Sequence, residues 1–118
     1  MWEVEYTDEF GAWWETLTDD EQESLVVSVE LLRGLGPHLP RPHSDTVKGS
    51  RYANMKELRT QHHGRPLRTL YAFDPRRCAI LLIGGDKTSD DRFYERLVPK
   101  ADRLYAEHLS TLREEGLL

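Results

Sequence analysis

The stretch Asn54–Lys87, NMKELRTQHHGRPLRTLYAFDPRRCAILLIGGDK, decides how this chain folds. It reads as three strands, roughly 54–61, 66–73 and 77–83, separated by turn residues at His63-Gly64 and Pro75-Arg76. The last run, Cys78-Ala79-Ile80-Leu81-Leu82-Ile83, is apolar at every position. A strand of that kind is covered on both faces, so the sheet needs packing segments on two sides.

Register follows from the turns. A turn at His63-Gly64 pairs His62 with Arg65, so partners sum to 127 and Arg59 stands directly opposite Arg68 on one face. Two like charges so placed are destabilising unless something binds between them. A phosphate would satisfy both guanidinium groups through charge-assisted hydrogen bonds. A turn at Pro75-Arg76 pairs Asp74 with Arg77, so partners sum to 151 and Arg68 faces Ile83. Lys87 then lies at the same end of the sheet, with Arg65, His62 and His63 in the nearby turn and Tyr94 following. Gly84-Gly85 reads either as a phosphate cradle or as a turn leaving the strand. Each pairing depends on its register, because a slip of one residue turns a side chain to the other face.

Outward from this stretch, Trp2, Val4 and Tyr6 alternate with Glu3 and Glu5, a half-buried strand over 2–6. Thr7 or Asp8 caps a helix whose apolar face is Phe10, Trp13, Trp14 and Leu17. Thr18-Asp19-Asp20-Glu21 has capping-box spacing and starts a second helix, striped by Leu25, Val29 and Leu32 and ended by Gly34 or Gly36. Residues 36–51 are a Pro- and Gly-bearing loop. Past Lys87, Thr88 or Ser89 caps a short helix around 91–97, and Pro99 breaks it or opens a new one. Ala101, Leu104, Tyr105, His108, Leu109 and Leu112 then stripe a C-terminal helix, where His108 packs on the core. The expected class is α+β, in the order β-α-α-β-β-β-α: a mainly antiparallel sheet, an N-terminal helical hairpin and a C-terminal helix in one domain, 1–118.

Charge is segregated. The 118 residues carry a net charge of −5. Residues 1–44 hold ten acidic and two basic residues, net −8; residues 45–77 hold eight basic and three acidic, net +5; residues 78–118 hold six basic and eight acidic, net −2. Such separation points to a polyanion surface on one side. The single cysteine, Cys78, excludes an internal disulfide and reads as a small buried hydrophobe. One Cys and five scattered His give no zinc-ligand spacing, so neither metal nor cofactor is expected. There is no apolar run of bilayer length and no signal-peptide pattern after Met1, so the expected location is cytoplasmic, without a membrane partner.

The cluster suits RNA cleavage. RNA carries its own nucleophile, the 2′-hydroxyl. Cutting needs a base for its proton, cations for the crowded phosphorane and an acid for the leaving 5′-oxygen. Arg59 and Arg68 supply cations, and Lys87 a cation or an acid. Tyr94 serves as base if nearby cations lower its pKa, or stacks on a nucleobase. His62 or His63 is a possible acid. Lys48, Arg51, Lys56, Arg65, Arg76 and Arg77 would position the RNA. The cluster offers no carboxylates arranged for Mg²⁺, so metal-free transesterification is expected, leaving a cyclic phosphate or 3′-phosphate and a 5′-hydroxyl.

The segments Met55-Lys56-Glu57-Leu58-Arg59, Arg68-Thr69-Leu70-Tyr71-Ala72-Phe73-Asp74, Leu82-Ile83-Gly84-Gly85-Asp86-Lys87 and Phe93-Tyr94-Glu95 together resemble the HigB-like branch of the RelE/ParE toxin superfamily, over nearly the whole chain. The resemblance implies a toxin of a type II toxin–antitoxin pair, a ribosome-dependent mRNA endonuclease that inhibits translation and is neutralised by a helix-turn-helix antitoxin. Position by position, it aligns Arg59, Arg68, Lys87 and Tyr94 with the family's functional residues. ParE-like members share the fold but bind DNA gyrase, so a non-catalytic gyrase inhibitor or a degenerate regulatory binding module is the alternative.

Overall fold

A computed structural model describes residues Met1–Leu118. The central hairpin forms as its turn dictates. His63 and Gly64 both take positive φ (47° and 79°), the backbone of a two-residue turn matched to strand twist. β3 (Lys56–His62) and β4 (Arg65–Phe73) therefore pair His62 with Arg65 and Arg59 with Arg68, the expected register.

The second hairpin departs from expectation. Asp74 N–H donates to the Cys78 carbonyl at 2.8 Å, so the turn holds three residues, and Arg77 closes it at φ 67°. β5 (Ala79–Asp86) starts one pair out of the expected register, with Phe73 opposite Ala79. A bulge between Leu70 and Tyr71 shifts it once more, and Arg68 lies opposite Gly85 rather than Ile83. The first slip turns β5 over and the second restores its face, so the site end keeps its expected side at a different residue.

β1 (Val4–Tyr6) pairs parallel to β5 at one edge; its Tyr6 side is exposed, unlike the half-buried reading. β2 (Ser44–Thr46), inside the expected loop, pairs with β3 at the other edge. The sheet order is β1-β5-β4-β3-β2. Thr7 caps α1 (Asp8–Glu15) by accepting from Phe10 N–H, and Thr18 and Glu21 complete the capping box of α2 (Asp19–Leu35). Both helices cover one face, over Phe10, Leu25, Leu32, Leu58, Tyr71 and Leu81. α3 (Phe93–Glu114) covers the other, over Leu70, Ala72, Ile80, Leu82, Phe93 and Ala101. It runs unbroken through Pro99, contrary to the expected break. The lost backbone bond costs about 3 kcal/mol, which burial of Leu97, Val98, Ala101 and Leu104 offsets. No helix is long and apolar enough to cross a membrane.

Gly84 and Gly85 are neither a cradle nor a turn; they are strand residues whose missing side chains admit rings from both layers. A Cβ at Gly84 would lie 2.2 Å from the Trp13 ring, and one at Gly85 2.9 Å from Phe93. Gly84→Ala is expected to destabilise the fold by about 1–3 kcal/mol through overpacking, read as a lower denaturant midpoint at unchanged slope.

Candidate active site

Strand alternation sorts β3 into two faces. Lys56, Leu58, Thr60 and His62 face α2; Glu57 and Arg59 face the α3 side. The paired arginines are not left repelling one another. Glu57, 4% exposed, lies between them. Its Oε2 accepts from Arg59 Nη2 at 3.2 Å, and its Oε1 stands 3.5 Å from Arg68 Nε. Tyr94 Oη donates to the same Oε1 at 2.6 Å. So the group between the like charges is a carboxylate of the chain itself, and the argument that only a bound phosphate could relieve them does not stand.

Beyond Glu57 the arginines differ. Arg68 is deep, its side chain 12% exposed and its Nη1 bonded to the Leu67 carbonyl at 3.0 Å. Arg59 is more open, at 32%, and shares Nη2 with Asp45 at 3.4 Å; Asp45 also holds Arg41 at 3.1 Å. The Nε atoms of both arginines are buried without a hydrogen-bond acceptor. Lys87 is seated by its amide, which donates to the Pro66 carbonyl at 2.9 Å, and its Nζ lies 5.3 Å from the Tyr94 ring centre. Two guanidinium groups thus flank one buried carboxylate, an ammonium lies over the phenol bonded to it, and the structure brings Arg59, Arg68, Lys87 and Tyr94 together. The expected role of Tyr94 as a base does not hold. Burial first, then the hydrogen bond to and charge of Glu57, push its hydroxyl up to about 12 against the pull of Arg68. The phenol is protonated at neutral pH, which suits a donor rather than an acceptor.

The remaining expected residues lie elsewhere. His62 is buried on the α2 face, its Nδ1 2.7 Å from Ser24 Oγ, and His63 packs edge-on against it in the turn. Arg65 is paired to Glu21 and to Asp86. Lys56 points to the face opposite Glu57. Lys48 and Arg51 lie in the exposed segment before β3, where the Arg51 amide donates to Asp102 of α3. Arg76 and Arg77 belong to the far end of the sheet. Arg76 is bound to Asp74 and Glu5, and Arg77 stacks over Trp2 at 5.1 Å. His108 is held by Asp74 at 2.9 Å, in the same distant corner.

Sequence reasoning missed Glu57 and the outer pair Arg41 and Asp45. The signal for Glu57 was present: it stands two residues before Arg59, hence on the same face.

A family model described as phage-derived protein Gp49-like matches residues 12–106, a span that contains the whole cluster. Two Mycobacterium tuberculosis proteins (strain ATCC 25618 / H37Rv) that carry the name toxin are similar. HigB2 is 41% identical over 106 residues, 88% of this chain and 53% of HigB2. HigB3 is 45% identical over 92 residues, 77% of this chain and 79% of HigB3. The chain thus spans about half the length of HigB2. Among solved structures, the isolated E. coli RelE toxin superposes with a TM-score of 0.57 at 10% identity, over 82% of this chain and 96% of that one. A chain of the archaeal RelE–RelB complex from Pyrococcus horikoshii OT3 superposes with a TM-score of 0.53 at 12% identity, over 75% of this chain and 97% of that one. At such identities the likeness is one of fold.

Proposed function

The chain belongs to the phage-derived Gp49-like family, as a HigB-like member of the RelE superfamily, and from that premise we propose that it is the toxin of a type II toxin–antitoxin pair that cuts mRNA on the ribosome. The observation that carries this reading is the cluster on the α3 face of the β3–β4 hairpin, toward its His63-Gly64 turn. Arg59 and Arg68 stand together beside Lys87 and the Glu57–Tyr94 pair. Two guanidinium groups and an ammonium stabilise the charge that builds on a phosphorane. RNA supplies the nucleophile through its 2′-hydroxyl. The reaction is a transesterification: the P–O2′ bond forms, the P–O5′ bond breaks, and the products are a 2′,3′-cyclic phosphate and a 5′-hydroxyl. Lys48 and Arg51, on the exposed segment before β3, add positive charge that draws a polyanion to the molecule. The partner is a helix-turn-helix antitoxin, and the compartment is the cytoplasm, where ribosomes are.

Expression from a tight promoter with mapping of mRNA 5′ ends tests this. The expected result is growth arrest accompanied by new codon-phased 5′-hydroxyl ends. Arrest without new ends would overturn the nuclease reading in favour of gyrase inhibition.

A further inference from the structure

We propose that Glu57 is the general base of the reaction, covered by Arg59 until the scissile phosphate draws that arginine away, and that Tyr94 is the general acid which Glu57 then recharges. The inference rests on the nuclease reading and assigns the proton chemistry within it.

The two oxygens of Glu57 are held unequally. Oε1 is fixed by the Tyr94 hydroxyl at 2.6 Å with Arg68 behind it, whereas Oε2 has one partner, Arg59 Nη2 at 3.2 Å. Arg68 is tied to the Leu67 carbonyl and nearly buried, so it stays. Arg59 is more exposed, its Nη2 contacts to Glu57 and Asp45 are both long, and its Nε has no acceptor. A phosphate beside the cluster offers this guanidinium a two-point interaction that neither carboxylate gives it. Accepting that offer turns Arg59 from Glu57 to the phosphate and leaves Oε2 open. The group that recognises the substrate is therefore the group that uncovers the base, and the base is shielded when no phosphate is present.

The proton balance closes within the pair. Oε2 takes the 2′-hydroxyl proton as O2′ attacks phosphorus. Tyr94 gives its proton to O5′ as the P–O5′ bond breaks. The carboxylic acid, protonated on Oε2, and the phenolate beside Oε1 then have no hydrogen between them; a half-turn of the carboxyl about Cγ–Cδ brings Oε2–H to the phenolate, and the proton crosses to it. Both groups return to their starting forms with no proton gained or lost by the protein. Lys87, near the Tyr94 ring, steadies the transient phenolate. A phenol shifted up to about 12 holds its proton until the leaving oxygen develops charge, yet is more acidic than the alcohol released.

The test is single-turnover cleavage of ribosome-bound mRNA carrying at the cut site either an ordinary linkage or a 5′-bridging phosphorothiolate, whose thiolate leaves without an acid. Glu57→Gln and Tyr94→Phe are each expected to slow cutting of ordinary mRNA by about 10²–10⁴-fold. On the sulfur linkage Tyr94→Phe should return to near the wild-type rate, while Glu57→Gln stays slow. Either variant cutting ordinary mRNA at close to the wild-type rate overturns the assignment, as does Tyr94→Phe remaining equally slow on both linkages. If Glu57→Gln does not fold, Tyr94→Phe, which removes one oxygen, decides alone by the same sulfur rescue. A wild-type protein that cuts neither linkage removes the nuclease reading and this inference together, whereas wild-type cutting with an unaffected variant removes the inference only.

Discussion

Arg68→Ala is expected to abolish growth arrest and to slow mRNA cleavage by about 10²–10³-fold, the loss that follows from deleting one preorganised donor to a developing anion. The argument is one of placement. Arg68 stands opposite Gly85, and its own side chain is nearly buried with Nη1 bonded to the Leu67 carbonyl. Its Nε faces Glu57 Oε1 at 3.5 Å, so the guanidinium is fixed beside the carboxylate and the phenol. Removing it also leaves Glu57 with Arg59 as its single cationic partner and takes away the pull that opposes the upward shift of Tyr94. Arg68→Lys should rescue poorly, because an ammonium keeps the charge but not the planar fork. Toxicity in a plasmid assay and the yield of 5′-hydroxyl ends are the readouts, with a thermal melt confirming that the variant is folded. Full toxicity in a folded Arg68→Ala protein would place the chemistry elsewhere.

What could be read from residues alone divides by how local the deciding interaction is. Thr7, the Thr18–Glu21 box and the two-residue turn at His63-Gly64 act within a few positions, and each forms as read. The β3–β4 register followed from that turn, and with it the apposition of Arg59 and Arg68. The β4–β5 register did not follow. It depends on one extra turn residue at Arg77 and on a bulge near Leu70, both settled by packing of β5 between two helical layers. For the same reason Pro99 was misread: its local cost is outweighed by the face α3 buries. β2 is three polar residues in a Pro-rich loop and has no periodicity to detect. The excess of basic residues over 45–77 was read as one patch, but the two hairpin turns lie at opposite ends of the sheet. That geometry divides it into Arg59 and Arg68 at one end and Arg76 and Arg77 at the other. The arginine pair was legible because like charges stand opposite; the carboxylate between them was overlooked because register was traced across strands and not along one.

Asp74→Ala is expected to cost about 3–5 kcal/mol, the penalty for breaking a buried ionic network by removing one partner. Its side chain is fully buried and gathers the β4–β5 turn around itself. Oδ1 accepts from the Arg76 and Cys78 amides at 2.8 and 3.2 Å; Oδ2 accepts from the Arg76 guanidinium and stands 2.9 Å from His108 Nε2 on α3. The loss should lower Tm by roughly 10–20 °C, given about 4 °C per kcal/mol for a chain of this size. The network also predicts a pH dependence. Burial alone would raise the Asp74 carboxyl, but the hydrogen bonds from His108, Arg76 and the Cys78 amide outweigh it and hold the group below the ordinary carboxylate value of 3.8. A carboxyl depressed in the folded state contributes stability that is present above its unfolded value and is lost as pH falls through the folded one. Stability should therefore decline as pH falls below about 4, and Asp74→Asn should flatten that decline while lowering stability at neutral pH. Cleavage per folded molecule should change far less than stability, because this corner lies at the end of the sheet away from Arg59 and Arg68. An Asp74→Ala protein that melts like wild type would show that the turn is held by its backbone alone, and one that folds normally but no longer cuts RNA would draw this distant corner into the site.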